Sequence, residues 1–134
     1  MPVVERCERS RLESLNGVHV LLVEPDARSE VLIRAVLDYC GALTTVATTV
    51  DGAIRVMRQI RADVVVVDTD PEEARVLLSR VRMMEPQAGS TVAVVALSGH
   101  SRDGEAHLAG FDGVISKPLS SRDLCGLLSS LTLS

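Results

Sequence analysis

The sequence predicts a single α/β domain, a doubly wound five-stranded parallel sheet with helices on both faces. Three observations predict it. Strand-like and helix-like segments alternate five times along the 134 residues, and strict alternation implies parallel strands joined by helical crossovers. The apolar runs at residues 18–23 and 64–67 carry no polar alternation, as expected of strands covered on both faces. A chain of 134 residues is about one domain, long enough to bury a continuous core without a metal or disulfide staple.

The elements follow in order. Residues 1–15 are charged and weakly patterned and read as an N-terminal tail, leaving 16–134 as the domain. Asn16-Gly17 marks a turn. The run at 18–23 is long enough for a strand and too short for a helix, and it stops at Glu24-Pro25-Asp26. A helix is expected over 27–40, its apolar face made by Val31, Leu32, Ala35, Val36 and Tyr39, with Gly41 in the C′ position. Residues 42–47, rich in β-branched side chains, suit a second strand, and 51–61 returns to helical period through Ile54, Val56, Met57 and Ile60. Four consecutive valines, 64–67, make the third strand and end in Asp68.

Pro71-Glu72-Glu73 opens a helix, with proline early and acids in the first turn. It is expected to close near Met84, because the residue before Pro86 disfavours helix. A fourth strand is expected over 91–97, a short helix over 103–109 ending at Gly110, and a brief fifth strand at Val114-Ile115. The last helix is expected over 121–131, with Leu124, Leu127, Leu128 and Leu131 on one side.

Composition narrows the function classes. The aromatic share is 1%, from Tyr39 and Phe111, which leaves no stacking platform for single-stranded nucleic acid. The net charge is −4 and no basic run forms a phosphate-backbone footprint. No segment approaches the roughly 18 apolar residues of a membrane helix. Glu5, Arg6, Glu8 and Arg9 stand where a signal peptide would need an apolar stretch, so a cytoplasmic protein without nucleic-acid or membrane partners is expected. Cys7, Cys40 and Cys125 are odd in number and widely spaced. They read as free, mostly buried thiols rather than a disulfide framework or zinc site. Among 14 basic residues only Lys117 is a lysine.

In an open parallel sheet, ligands bind beyond the carboxyl ends of the strands. Glu24, Pro25 and Asp26 follow strand one; Asp68, Thr69 and Asp70 follow strand three; Ser98 ends strand four; Ser116 and Lys117 end strand five. Carboxylates gathered there repel one another, and a hard cation such as Mg²⁺ relieves that through oxygen ligands. A carboxylate in such a place can attack phosphorus, and a hydroxyl and an ammonium can hold the phosphate oxygens. Each residue also has a plainer role open to it. Asp68 or Asp26 can cap the helix that follows, Lys117 can be ordinary surface, and Arg55, Arg58 and Arg61 suit a solvated helix face. His19, His100 and His107 are not spaced as ligands.

Four segments in order carry a family resemblance: residues 15–24, 63–68, 94–98 and 109–119. Together they make the chain resemble a response-regulator receiver domain (CheY-like, flavodoxin-like fold) from Leu15 to Leu131. The resemblance implies Asp68 as phosphoacceptor, Ser98 as the hydroxyl that contacts the phosphoryl group and Lys117 as ion-pair partner. It implies Mg²⁺ as cofactor, with Glu24, Asp68 and the Asp70 backbone carbonyl as ligands; Asp26, one residue past Pro25, is the candidate substitute for the missing acid, and the Asp70 carboxylate can add another oxygen. It also implies a histidine kinase or phosphotransfer protein as donor and a downstream protein as receiver of the signal, with a homodimer among the options. No turnover chemistry is implied beyond self-phosphorylation and autodephosphorylation.

The chain departs from that pattern at four places. Pro25 stands where the family has its second acid. Pro71 comes one residue early and no Asp-Gly follows. Val114 replaces the aromatic switch residue, and the interval from Ser98 to Lys117 is short by nearly a helical turn. The expected function is a receiver accepting a phosphoryl group on Asp68. The alternative is a pseudo-receiver acting as a protein-interaction module without phosphorylation. A remote alternative is a haloacid-dehalogenase-like phosphatase, suggested by Asp68-Thr69-Asp70 after an apolar strand.

Overall fold

The computed structural model of the chain describes residues 15–88, 92–98 and 110–132. Five strands alternate with helices: β1 (His19–Val23), α1 (Ala27–Tyr39), β2 (Leu43–Ala47), α2 (Val50–Gln59), β3 (Val64–Val67), α3 (Pro71–Ala88), β4 (Ala93–Ser98), β5 (Gly113–Ser116) and α4 (Ser121–Thr132). All strand pairs are parallel, in the order β2-β1-β3-β4-β5. The order reverses between β1 and β3, and their carboxyl ends therefore flank the crevice in which doubly wound sheets bind ligands. The expected helix over 103–109 lies outside the described residues.

Strand geometry divides the core in two, because successive side chains point to opposite faces. Leu21, Val23, Val65, Val67, Val94 and Ala96 pack under α2 and α3 through Ala53, Ile54, Ala74, Leu77 and Val81. Val20, Leu22, Val64, Val66, Val95 and Leu97 pack under α1 and α4 through Ile33, Leu37, Leu124 and Leu128. The unbroken valine run of β3 is explained by this: each side chain meets a helix layer whichever way it points.

Three local expectations are corrected. On α1 the buried stripe is Ile33, Leu37 and Cys40, whereas Val31, Leu32 and Tyr39 of the expected face are exposed by 63%, 69% and 64%. The helix carries two apolar stripes, and the direction of the crossover selects the one at i, i+4, i+7 for the core. α3 continues through Pro86 to Ala88. A proline near the last turn removes a single hydrogen bond, and the pre-proline restriction is a bias rather than a stop. Leu15, placed in the tail by sequence, is fully buried and its N–H donates to the Cys40 carbonyl at 3.1 Å.

The end of α1 follows the glycine signal. Gly41 has φ +94°, its N–H donates to the Asp38 carbonyl at 3.0 Å, and the Ala42 N–H donates to the Leu37 carbonyl at 3.1 Å. That is the Schellman pair of bonds, which needs a left-handed residue at this position.

A further expectation fails at the cysteines. Cys40 and Cys125 are joined as a disulfide, with Cα atoms 6.3 Å apart. Wide spacing in sequence concealed them because α1 and α4 lie side by side on one face of the sheet.

Candidate functional site

Three side chains meet at the carboxyl edge because the strand ladders run one residue past the strands. The Glu24 N–H donates to the Ala47 carbonyl at 2.9 Å, the Asp68 N–H to the Val23 carbonyl at 2.9 Å, and the Lys117 N–H to the Ser98 carbonyl at 2.7 Å. Backbone pairing in three strand pairs thus fixes where each side chain begins. Lys117 Nζ lies 2.7 Å from Asp68 Oδ2, with the Asp68 side chain 10% exposed and the Lys117 side chain 36% exposed. The Lys117–Pro118 peptide is cis.

Glu24 is the buried acid of the group, 3% exposed. Its Oε2 accepts the Asp26 N–H at 3.1 Å, while its Oε1 meets no donor. Burial first, and then a hydrogen bond to Asp68 and the charge of Asp68, push its carboxyl up to about 8 from 4.5. A proton on Glu24 accounts for both facts: it turns the orphaned carboxyl into the donor to Asp68.

The other expected ligands are used elsewhere. Asp26 is the N-cap of α1: its Oδ2 accepts the Ser29 N–H and the Ser29 hydroxyl, both at 3.0 Å. Asp70 caps α3 in the same way, its Oδ1 accepting the Glu73 N–H at 2.9 Å. The Asp70 carbonyl opens the helix by accepting the Ala74 N–H at 3.0 Å. The early Pro71 is the cause. It starts α3 immediately after Asp70, so that both the carboxylate and the carbonyl point along the helix.

A divalent cation such as Mg²⁺ needs several oxygen ligands in near-octahedral array. Pro25 offers no side-chain oxygen, burial raises the Glu24 carboxyl toward its neutral form, Asp68 is paired with Lys117, and Asp26 and Asp70 are caps. Among the described residues no three His, Cys, Asp or Glu side chains form a metal-holding group. As placed, Asp26 and Asp70 accept helix N–H groups and Asp68 accepts from Lys117, so of the expected ligands Glu24, Asp26, Asp68 and Asp70 only Glu24 and Asp68 share the pocket with Lys117.

Ser98 sits at the end of β4 opposite Ser116 of β5, on the same edge as Asp68. Val114 is half-buried against the core under α2 and α3. His19 serves the sheet, its Nε2 lying 2.7 Å from the Thr45 hydroxyl, and Arg55, Arg58 and Arg61 are exposed. Sequence reasoning missed Asp112. Its Oδ2 accepts the Val94 N–H at 2.7 Å and an Arg82 N–H at 2.8 Å, which ties the approach to β5 to α3.

No family model matches the chain. An uncharacterized 14.6 kDa protein of Leptolyngbya boryana is 27% identical over 130 residues, covering 91% of this chain and 95% of that protein. A CheY-like response regulator receiver domain from Methylobacillus flagellatus superimposes with a TM-score of 0.73 at 24% identity, over 85% of this chain and 98% of the other. The receiver domain of a sensor histidine kinase from Pseudomonas aeruginosa, with a magnesium ion in its active-site cleft, gives 0.76 at 23% identity, over 87% and 98%. The chain has the fold of response-regulator receiver domains. Among the described residues no helix is long and apolar enough to cross a membrane.

Proposed function

We propose that the chain is a signal-transduction module of the receiver fold that works through protein contacts without Mg²⁺-dependent phosphorylation of Asp68. The observation that carries this reading is the disposal of the metal donors: Asp26 and Asp70 cap helices, Lys117 pairs with Asp68, and burial holds the Glu24 carboxyl well above its usual range. An aspartate activated for phosphoryl transfer depends on cations to neutralise the charge developing on the phosphoryl oxygens. Here the Lys117 ammonium is the cation placed beside Asp68 among the described residues. The fold supplies the role instead: a rigid sheet presents its carboxyl-edge loops and helix faces to a partner. A histidine kinase or phosphotransfer protein is the partner class at the input side, and a downstream protein at the output side. The setting is cytoplasmic, and no substrate is turned over.

A second reading has one observation in its favour. Lys117 bonded to Asp68 at 2.7 Å, with Ser98 on the same edge, keeps the acceptor, amine and hydroxyl of a phosphorylatable receiver. Incubation of the full chain with acetyl phosphate and millimolar MgCl₂, read by intact mass and peptide mapping, separates the two. The expected result is no added phosphoryl group on Asp68. A stoichiometric, Mg²⁺-dependent adduct on Asp68 overturns the proposal and establishes the second reading.

A further inference from the structure

Cys40 and Cys125 are separated by 85 positions in the chain and meet between α1 and α4. Cys40 is the C-cap of α1, and Cys125 lies just past the first turn of α4. Their Cα separation of 6.3 Å is within the range that a disulfide spans without backbone movement. Both side chains are enclosed, at 0% and 1% exposure, in the apolar layer with Leu37, Leu124 and Leu128.

Two features distinguish this pair from a folding staple. The aliphatic layers on both faces of the sheet are continuous without it, and a domain of this length does not need a cross-link to fold. Each reduced thiol is also a small apolar side chain suited to the same enclosed place, so one fold accommodates both oxidation states. Disulfides of proteins in reducing compartments are mostly transient or redox-sensing.

We propose that Cys40 and Cys125 form a reversible thiol–disulfide site that responds to peroxide-class oxidants by clamping α4 to α1. In the oxidation, one thiolate attacks a peroxide oxygen and the O–O bond breaks, giving a sulfenic acid and, with one proton, water. The second thiolate attacks the sulfenic sulfur, the S–S bond forms and the S–O bond breaks, and a second water leaves with another proton. The cysteine pair loses two electrons and two protons, and hydrogen peroxide becomes two waters. A dithiol returns the pair to thiols by exchange and is itself oxidised to a disulfide. Both sulfurs are enclosed, so each direction proceeds through local opening of α4.

The clamp bears on the pocket through a short segment. Residues 117–120 alone separate β5 from α4, and the first of them is Lys117, bonded to Asp68. Fixing α4 therefore restrains the piece of chain that carries the ammonium. The regulatory meaning of the clamp rests on the function proposed above, but the bond itself does not.

The test uses the full chain, reduced with dithiothreitol or treated with equimolar hydrogen peroxide. Each sample is then denatured, alkylated and mapped, and hydrogen exchange is followed in parallel. Reduced chain is expected to take three alkyl groups and oxidised chain one, on Cys7, with the Cys40 and Cys125 peptides linked. Amides of α4 are expected to exchange about tenfold or more slowly in the oxidised state. Cys125→Ala is expected to abolish the difference and Cys7→Ser to leave it intact. Three alkyl groups after peroxide overturn the proposal. So does a linked pair that leaves α4 exchange unchanged between states. Neither readout involves a partner or a phosphodonor, so failure of the proposed function leaves this result standing, and the reverse also holds.

Discussion

Replacing Glu24 by glutamine should make the protein less sensitive to alkaline pH. The wild-type carboxyl is held at about 8 in the folded chain against an ordinary value of 4.5, first by burial and then by the Asp68 carboxylate beside it. Between those values the unfolded chain has released the proton while the folded chain keeps it. The unfolded state then binds fewer protons, and stability falls as pH rises. The contribution is fully present below about pH 4.5 and is lost progressively up to about pH 8, at a limiting slope near 1.4 kcal/mol per pH unit. Asp68 and Lys117 face Glu24 and are unchanged in the variant, so the difference between wild type and Glu24→Gln isolates this one proton. The amide is neutral at every pH and can still donate to Asp68. Urea denaturation at several values from about pH 5 to pH 8 should show the two proteins similar at the acid end, with the variant gaining about 1 kcal/mol per unit above it. Parallel pH profiles would refute the assignment of a proton to Glu24.

Other substitutions separate the roles of neighbouring residues. Lys117→Met leaves Asp68 without its cation and should cost about 2–3 kcal/mol in denaturant unfolding, less than a fully buried pair because the lysine is partly exposed. Adding Asp68→Asn should recover part of that loss, as expected for a directly coupled pair. Asp26→Ala should cost about 1 kcal/mol of stability through the lost cap on α1, and divalent-ion titrations of the variant should match wild type. On α1, Leu37→Ala should cost about 2–5 kcal/mol while Leu32→Ala stays within about 0.5 kcal/mol. Equal costs at the two positions would mean that the wrong stripe has been assigned to the core.

The fold was legible because its signals are local. A run of four valines, a glycine after α1 and a Pro-Glu-Glu opening of α3 each state their structure within a few residues. The meeting of Asp68 and Lys117 was also legible, since parallel topology sends every strand's carboxyl end to one edge. What stayed hidden depended on competition between partners. Asp26 and Asp70 could have turned toward a cation or toward a helix N-terminus, and composition does not rank the two. Pro71 decided it for Asp70 by starting α3 at once. The two stripes of α1 posed the same problem, since a period of 3.6 finds both faces and only the neighbouring layer selects one. The Cys40–Cys125 contact depends on which helices share a side of the sheet, which follows from the handedness of the crossovers rather than from spacing.

The proposed replacement of the divalent cation by an internal proton and ammonium is open to direct measurement with manganese, a paramagnetic substitute for magnesium. Amide signals of the isotope-labelled full chain are followed as Mn²⁺ is added to about millimolar levels. Signals of Glu24, Asp68 and Lys117 are expected to broaden no more than those of scattered surface acids. Saturable broadening centred on Glu24 and Asp68, reversed by excess Mg²⁺, would show that a cation binds there and would contradict that replacement.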